Sequence, residues 1–545
     1  MMGLLAVPRR YLHDVHNVVA RRPDAARMHA LTAGGMLSGS AIALTGHFAP
    51  LAGLCFLVGA IGAGLAALRR WPRTPAHLTG GRFRLLPVWL AAYTLGGAMA
   101  VFDGPWRWAG LALAAGGGGA LVAQTVRGPL RHALAGLVSL AAPARPERFA
   151  GLSTDLRPAD LAGPRFGVGT VGDFAWNRLA SFDACVQCGR CEQVCPAHAA
   201  GQALNPKQLI QGLVNASRSG AIIGNTIPVE ALWACTTCRA CVQECPMLIE
   251  HVDAVIDLRR HQTLELGALP EGAVRPLAEL RYADDGGGRA LSARGDFAAG
   301  LDLPVLDPGG ETDLLLWLGE GAFDLRYGSS LRALLQLLHM AGLRFACLGA
   351  AERDCGDLAR RLGDEVTFRR LAEANIATLS ARRFARIVTA DPHALHVLRR
   401  EYPAFGGLWT VLHHTELLDE LLQEGRLRPR FIPARVLAYH DPCYLARYNG
   451  QVDAPRRVLD AIGTGRVEMA RHGLEAMCCG GGGGAPQSDV PGERRIADLR
   501  MDHARKAGAD MVAVACPGCT SMLEGVTGPR PIVRDVAELL LEACA

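Results

Sequence analysis

The chain has 545 residues, enough for three or four folding units, which excludes a single small domain. Its 17 cysteines occur without a secretion signal, which points to a reducing compartment and excludes a disulfide scaffold. The net charge of +5 hides an asymmetry: residues 1–148 hold 15 Arg, no Lys and only Asp14, Asp24, Asp103 and Glu147, a net +11 that leaves −6 for the remainder. A basic first quarter on an acidic body calls for an anionic surface meeting the first part, and no nucleic-acid partner is expected.

That first quarter is also apolar. Residues 1–28 open with Leu12, Val15 and Val19 on one helical face among Arg9, Arg10, Arg21 and Arg22, a pattern that fits an interfacial segment or a plain cytosolic helix. No charged side chain occurs between Arg27 and Arg69, a gap of 41 residues, which accommodates two spans turning near His47, Phe48 and Pro50. Leu85 to Phe102 and Trp108 to Val126 supply two more uncharged stretches, with Gly116–Gly119 allowing a neighbouring helix to approach closely. Arginines precede the first stretch, separate the second from the third (Arg69, Arg70, Arg73, Arg82, Arg84) and follow the fourth (Arg127, Arg131, Arg145, Arg148). The positive-inside rule then predicts a four-span transmembrane domain over 29–140, with both termini and the soluble domains on the cytoplasmic side of a bacterial inner membrane. A linker is expected over 141–173.

The middle of the chain carries two runs spaced Cys-x2-Cys-x2-Cys-x3-Cys-Pro: Cys185, Cys188, Cys191 and Cys195, then Cys235, Cys238, Cys241 and Cys245. In two-cluster ferredoxins the fourth cysteine of one run ligates the other cluster. The expected sets are therefore Cys185, Cys188, Cys191 and Cys245 for one [4Fe-4S] cubane, and Cys235, Cys238, Cys241 and Cys195 for a second. Zinc ribbons show paired Cys-x2-Cys and not four thiols per run. Asn205-Pro206 opens a helix between the runs, and a helical ferredoxin domain is expected over 174–262, followed by a linker over 263–312.

From Thr312 short apolar strands alternate with amphipathic helices: Leu314–Leu318, Leu331–Met340, Arg386–Ala390, then Val436–His440, Pro455–Ile462 and Met511–Ala515. This predicts two α/β repeats with parallel sheets, over 313–426 and 433–545. The second copy reads Asp441-Pro-Cys443, Cys478-Cys479-Gly480 and Cys516-Pro-Gly-Cys519. The first keeps the frame as Gly319-Glu320, Asp354-Cys355-Gly356 and Asp391-Pro392-His393-Ala394, with most thiols gone. Cys443, Cys478, Cys479, Cys516 and Cys519 are expected to bind a third [4Fe-4S] cluster, with the first copy as its scaffold. Zinc is the rival metal, fitted poorly by adjacent cysteines and a fifth ligand. Gly480–Gly484 would let backbone amides reach sulfide or thiolate.

These cysteine motifs resemble the cysteine-rich domain of heterodisulfide reductases and of glycolate and glycerol-3-phosphate oxidase iron–sulfur subunits. The paired runs are similar to the helical ferredoxin module fused to those domains. Pro8-Arg-Arg-Tyr11-Leu-His-Asp-Val-His16, Gly319-Glu-Gly-Ala-Phe-Asp324 and His440-Asp-Pro-Cys-Tyr-Leu-Ala-Arg-Tyr448 resemble the membrane iron–sulfur proteins of dimethylglycine catabolism. The resemblance implies a noncubane form for the third cluster. It also implies electrons arriving from a flavoprotein, either an N-methyl amino acid demethylase such as dimethylglycine demethylase or an electron-transfer flavoprotein, and leaving to quinone.

Other residues are weaker candidates. His29, His47 and His132 lie near ends of the expected spans and admit a haem b, but no second histidine matches the depth of His47, and interfacial anchoring is preferred. His13 and His16 offer only a guess at a quinone pocket. His413, His414 and His440 neighbour the cysteine-rich repeat, where hydrogen bonding tunes clusters; a satisfied core histidine is the preferred reading of each. Cys55, Cys347 and Cys544 match no ligand frame, and no Rossmann fingerprint is present. The sequence reads as an iron–sulfur oxidoreductase subunit passing electrons from a flavoprotein to quinone. The alternatives are a heterodisulfide-reductase-like enzyme reducing a disulfide or small substrate at the cysteine-rich cluster, and a zinc-bearing scaffold.

Overall fold

A computed structural model describes residues 2–79, 82–145, 156–217, 220–430, 436–463 and 465–545. Arg148, the middle of the 141–173 linker and the first three residues of the 433–545 repeat lie outside them.

The carboxy-terminal half holds two parallel four-stranded sheets. β1 (Glu311–Trp317), β2 (Phe345–Cys347), β3 (Arg383–Thr389) and β4 (Val411–His413) are ordered β2-β1-β3-β4. β5 (Val436–Tyr439), β6 (Gly465–Val467), β7 (Met511–Val514) and β8 (Ile532–Asp535) repeat that order as β6-β5-β7-β8. The central strands β1 and β7 are buried in unbroken apolar runs, Leu314–Trp317 and Met511–Val514, as parallel strands covered on both faces must be. The two sheets share one apolar core: Leu316, Leu337, Leu437, Tyr439 and Leu540 belong to a single buried cluster.

The ferredoxin region is helical. Helices Trp176–Asp183, Pro206–Asn215 and His251–Arg260 surround a core that includes Phe182, Leu209, Ile210, Leu232 and Leu258. The Asn205 side chain caps the middle helix by accepting from the amides of Lys207 and Gln208.

The amino-terminal quarter is helical too, but it corrects the expectation of a four-helix transmembrane region. Among the described residues, Ala49–Leu68 is the one helix long and apolar enough to cross a membrane, with 20 residues at mean hydropathy 2.2. The first expected span breaks into Pro23–His29, a wider π-turn at Ala30–Gly34 and Gly35–Leu44. Ten residues at ~1.5 Å each cover about half of a ~30 Å hydrocarbon layer. Helix Arg82–Ala100 starts on two arginines and contains Pro87, while Arg107–Arg127 is diluted by four consecutive glycines and Gln124. Two of those glycines serve helix contact: a Cβ on Gly117 would sit 2.6 Å from the amide nitrogen of Tyr93, and one on Gly118 3.2 Å from the Tyr93 ring.

The arginine pattern has a second explanation in the structure. Arg21 pairs with Glu244 at 2.6 Å, Arg131 with Asp183 at 2.6 Å and the buried Arg145 with Glu250 at 2.9 Å. The anionic surface that meets this quarter therefore includes the ferredoxin region of the same chain. Of the expected interfacial face, Val15 is buried whereas Leu12 is exposed, and Val18, not Val19, is the fully covered neighbour.

Candidate iron–sulfur centres

The two ferredoxin runs fold alike. Gln187 and Gly189 in the first, and Thr237 and Arg239 in the second, all have positive φ, between 50° and 73°. Three of these four residues are not glycine, and a left-handed conformation costs such a residue about 1–2 kcal/mol. The repeated geometry curls each loop around its own cysteines. The third cysteine of each run then lies in a short helix, Arg190–Val194 or Ala240–Gln243.

The structure brings Cys195 into one cavity with Cys235, Cys238 and Cys241, which also exposes Pro196, Arg239 and His251 on its wall. Cys245 lies beside Cys191, together with Cys185 and Cys188. Burial pushes the Cys185 thiol up to about 11 and holds Cys191 and Cys241 well above the ordinary range. Left to themselves these groups are neutral thiols; a bound cation reverses that preference.

The second repeat gathers its five cysteines at the carboxyl ends of β5 and β7 and in the glycine loop between them. Cys443, Cys479, Cys516 and Cys519 line one cavity with Gly481, Gly482 and Tyr444. The Cys479 and Cys519 sulfurs are 3.3 Å apart. The amides of Gly480 and Gly481 donate to the sulfurs of Cys478 and Cys479 at 3.3 and 3.4 Å, and the Cys519 amide donates to Cys516 at 3.4 Å. Cys478 is not on the wall of that cavity but touches Cys443 and Cys479 there, and on its other side Cys238 of the ferredoxin region.

One histidine tests whether this site fits a bound group. A ring nitrogen of His440 lies within 4.8 Å of the Cys479 and Cys519 sulfurs. Arg500 donates from Nε to His440 Nδ1 at 2.9 Å, so the imidazole carries its proton on Nε2. Burial and the Arg500 charge hold this histidine well below its usual range, hence neutral. Nε2 is buried without a protein partner. A buried donor left unmade on a ring next to two cysteine sulfurs fits a bound group with acceptor sulfurs. His413 and His414 are core residues of the first repeat: His413 Nδ1 bonds the Thr415 hydroxyl at 2.7 Å, and His414 lies 3.2 Å from Asp535.

Among the described residues, the first repeat offers no comparable thiol set. Glu320 and Asp354 hydrogen-bond to each other, and burial drives both carboxyls above their ordinary values. Cys355 is buried alone among carboxylates. Elsewhere His29 neighbours His132 and His16, whereas His47 binds the Thr45 carbonyl at the turn before Ala49.

Sequence reasoning missed the residues that join the centres. The Tyr448 hydroxyl donates to the Thr237 carbonyl at 2.5 Å, the Tyr444 hydroxyl meets Thr237 Oγ1 at 3.1 Å, and Arg447 donates to the Cys238 carbonyl. Gly482 and Gly483 press on the ferredoxin loop, where a Cβ on Gly483 would lie 2.7 Å from the Cys235 carbonyl oxygen. The glycine run thus serves docking as well as sulfur contact. His393 of the first repeat also lines the second repeat's cavity. The legible signal was its position, a histidine where the second copy has Gly518.

Three family models match parts of the chain. The 4Fe-4S dicluster domain matches residues 184–249, the cysteine-rich domain matches 320–399 and 437–524, and a domain of unknown function (DUF3483) matches 1–163. The chain is 45% identical to the probable membrane-anchored ferredoxin of Chromohalobacter salexigens, over 100% of its own length and 91% of that protein. It is 35% identical to the EtfAB:quinone oxidoreductase of Syntrophomonas wolfei over 69% of this chain, spanning 60% of that protein. It is 28% identical to a component of the dihydromethanophenazine:CoB–CoM heterodisulfide reductase of Methanosarcina barkeri, over 67% of this chain and 95% of that component. The chain belongs to the family of the probable membrane-anchored ferredoxin, in which a 4Fe-4S dicluster domain is joined to paired cysteine-rich domains, and it is an iron–sulfur oxidoreductase subunit.

Proposed function

We propose that this chain passes electrons from a flavoprotein, of the electron-transfer flavoprotein or N-methyl amino acid demethylase kind, to membrane quinone. In this reading Cys185, Cys188, Cys191 and Cys245 hold one cubane, Cys195, Cys235, Cys238 and Cys241 a second, and Cys443, Cys478, Cys479, Cys516 and Cys519 a third centre. Bound iron–sulfur clusters supply reversible one-electron transfer.

The observation that carries the reading is the contact of Cys478 with Cys238, which sets the second repeat's cysteines directly against the ferredoxin pair. At the opposite end, Arg190, next to Cys191, donates to the Val18 and Val19 carbonyls at 2.7 and 3.3 Å, and Lys207 donates to the His77 carbonyl at 3.0 Å. In this reading the three sets run in series from the second repeat to the amino-terminal quarter. That quarter exposes Leu51, Leu54, Leu57, Ile61 and Leu65 along one apolar helix, a surface suited to a bilayer. A soluble donor then meets the repeat end and quinone the amino-terminal end, with the thiol-rich domains on the reducing, cytoplasmic side. The relative named EtfAB:quinone oxidoreductase supports both ends of this path.

Purified protein mixed with a reduced electron-transfer flavoprotein and a short-chain quinone is expected to form quinol. Consumption of a disulfide without quinol formation would replace this reading with the disulfide-reducing alternative.

A further inference from the structure

The first repeat has lost most of its thiols, yet it places one side chain in its neighbour's site. His393 follows β3 in the turn Asp391-Pro392, where Asp391 Oδ1 accepts from the His393 amide at 2.8 Å. The imidazole lines the cavity formed by Cys443, Cys479, Cys516 and Cys519. Its Nδ1 lies 2.7 Å from Asp357 Oδ2, and Asp357 is itself held by Arg361 Nε at 2.9 Å. One face stacks on Tyr444, with ring centroids 3.8 Å apart and planes 22° from parallel. At its edge, a Cβ on Gly482 would lie 3.6 Å from His393 Cε1, so the glycine loop closes against the ring.

We propose that the first repeat serves the second repeat's centre through His393, which Asp357 and Tyr444 hold as a fixed imidazole donor in the five-cysteine site. With Nδ1 committed to Asp357, Nε2–H is the donor left for the cavity. This inference rests on the reading that the five cysteines hold a third centre. It assigns the repeat that lacks the thiol set a positioning role, and it explains why histidine stands where the other copy has glycine. An N–H donor beside a centre that gains negative charge on reduction favours the reduced form and raises its potential.

The test is a redox titration of the full chain followed by electron paramagnetic resonance, on wild type, His393→Phe, His393→Gln and Asp357→Asn. At the wild-type midpoint of the third centre, the reduced-to-oxidised ratio is expected to fall roughly tenfold in His393→Phe, about 59 mV for one electron. The fall is smaller in His393→Gln, which keeps an N–H, and in Asp357→Asn. The two ferredoxin signals keep their midpoints. A third centre that titrates unchanged in His393→Phe overturns the inference. If His393→Phe loses the third signal, an unshifted midpoint in both other variants overturns it instead. Absence of a third signal from wild type itself defeats the underlying reading, and the inference falls with it.

Discussion

Arg259 Nη1 donates to the Gly483 carbonyl at 2.7 Å, tying the ferredoxin helix His251–Arg260 to the glycine loop of the second repeat. The same guanidinium donates to the carbonyls of Arg361, Leu232 and Cys235 at 2.9, 2.9 and 2.8 Å and stacks on Trp233. One fully buried side chain thus touches the ferredoxin region and both repeats. Burial lowers its pKa to about 10, so it stays charged at neutral pH.

Arg259→Leu is therefore expected to destabilise the chain by about 3–5 kcal/mol, because it strands several buried carbonyls at once. Arg259→Lys keeps the charge but lacks the fork that reaches five carbonyls, and should recover only a minor part of the loss. Denaturant midpoints of the two variants, measured alongside iron content, check this.

Gly483 has φ +67° and no room for a Cβ beside the Cys235 carbonyl. Gly483→Ala should cost about 1–3 kcal/mol and push the second repeat off the ferredoxin loop. Weakened magnetic interaction between neighbouring reduced centres would register the separation. An unchanged spectrum would contradict the contact.

The proposed crossing of ligands between the two runs predicts a selective loss. Cys245→Ser should abolish the centre built on Cys185, Cys188 and Cys191, while the set containing Cys195 keeps its signal. Loss of the other signal instead would mean that each run ligates its own cluster.

His393 makes a pH prediction with a definite sign. Burial alone would lower its pKa, but Asp357 and Asp391 overcome it and push the imidazole up to about 10. Since the folded value exceeds the unfolded one, near 6.5, its contribution to stability is complete below about pH 6.5 and disappears as pH rises through about 10. The stability difference between wild type and His393→Gln should accordingly shrink across that window in equilibrium unfolding. A difference that grows with pH would reverse the assignment.

His440→Phe removes a buried, unpartnered Nε2 donor on a ring that has a nitrogen within 4.8 Å of the Cys479 and Cys519 sulfurs. The third centre should then titrate at lower potential, with Arg500→Lys shifting it in the same direction by releasing the tautomer. Spectroelectrochemistry of the purified variants measures both.

Much of this protein was legible before any coordinates. The spacing of Cys185 to Cys195 and Cys235 to Cys245 is local, so it reveals the cluster loops directly, and Asn205-Pro206 marks a helix start for the same reason. The short apolar runs in β1, β3, β5 and β7, alternating with amphipathic helices, disclosed two parallel-sheet repeats, because the carboxyl halves of these central strands are buried. The short edge strands β2, β4 and β6 escaped notice, since three residues carry no period. The arginine pattern misled: it reads as membrane topology when the partners are unseen, yet Arg21, Arg131 and Arg145 spend their charge on Glu244, Asp183 and Glu250. Sequence by itself determined which residues have the chemistry to hold iron and sulfide. Only the tertiary structure decided their order in space, the contact of Cys478 with Cys238 and the entry of His393 into its neighbour's cavity. Those pairings join residues far apart along the chain, and no local pattern encodes them.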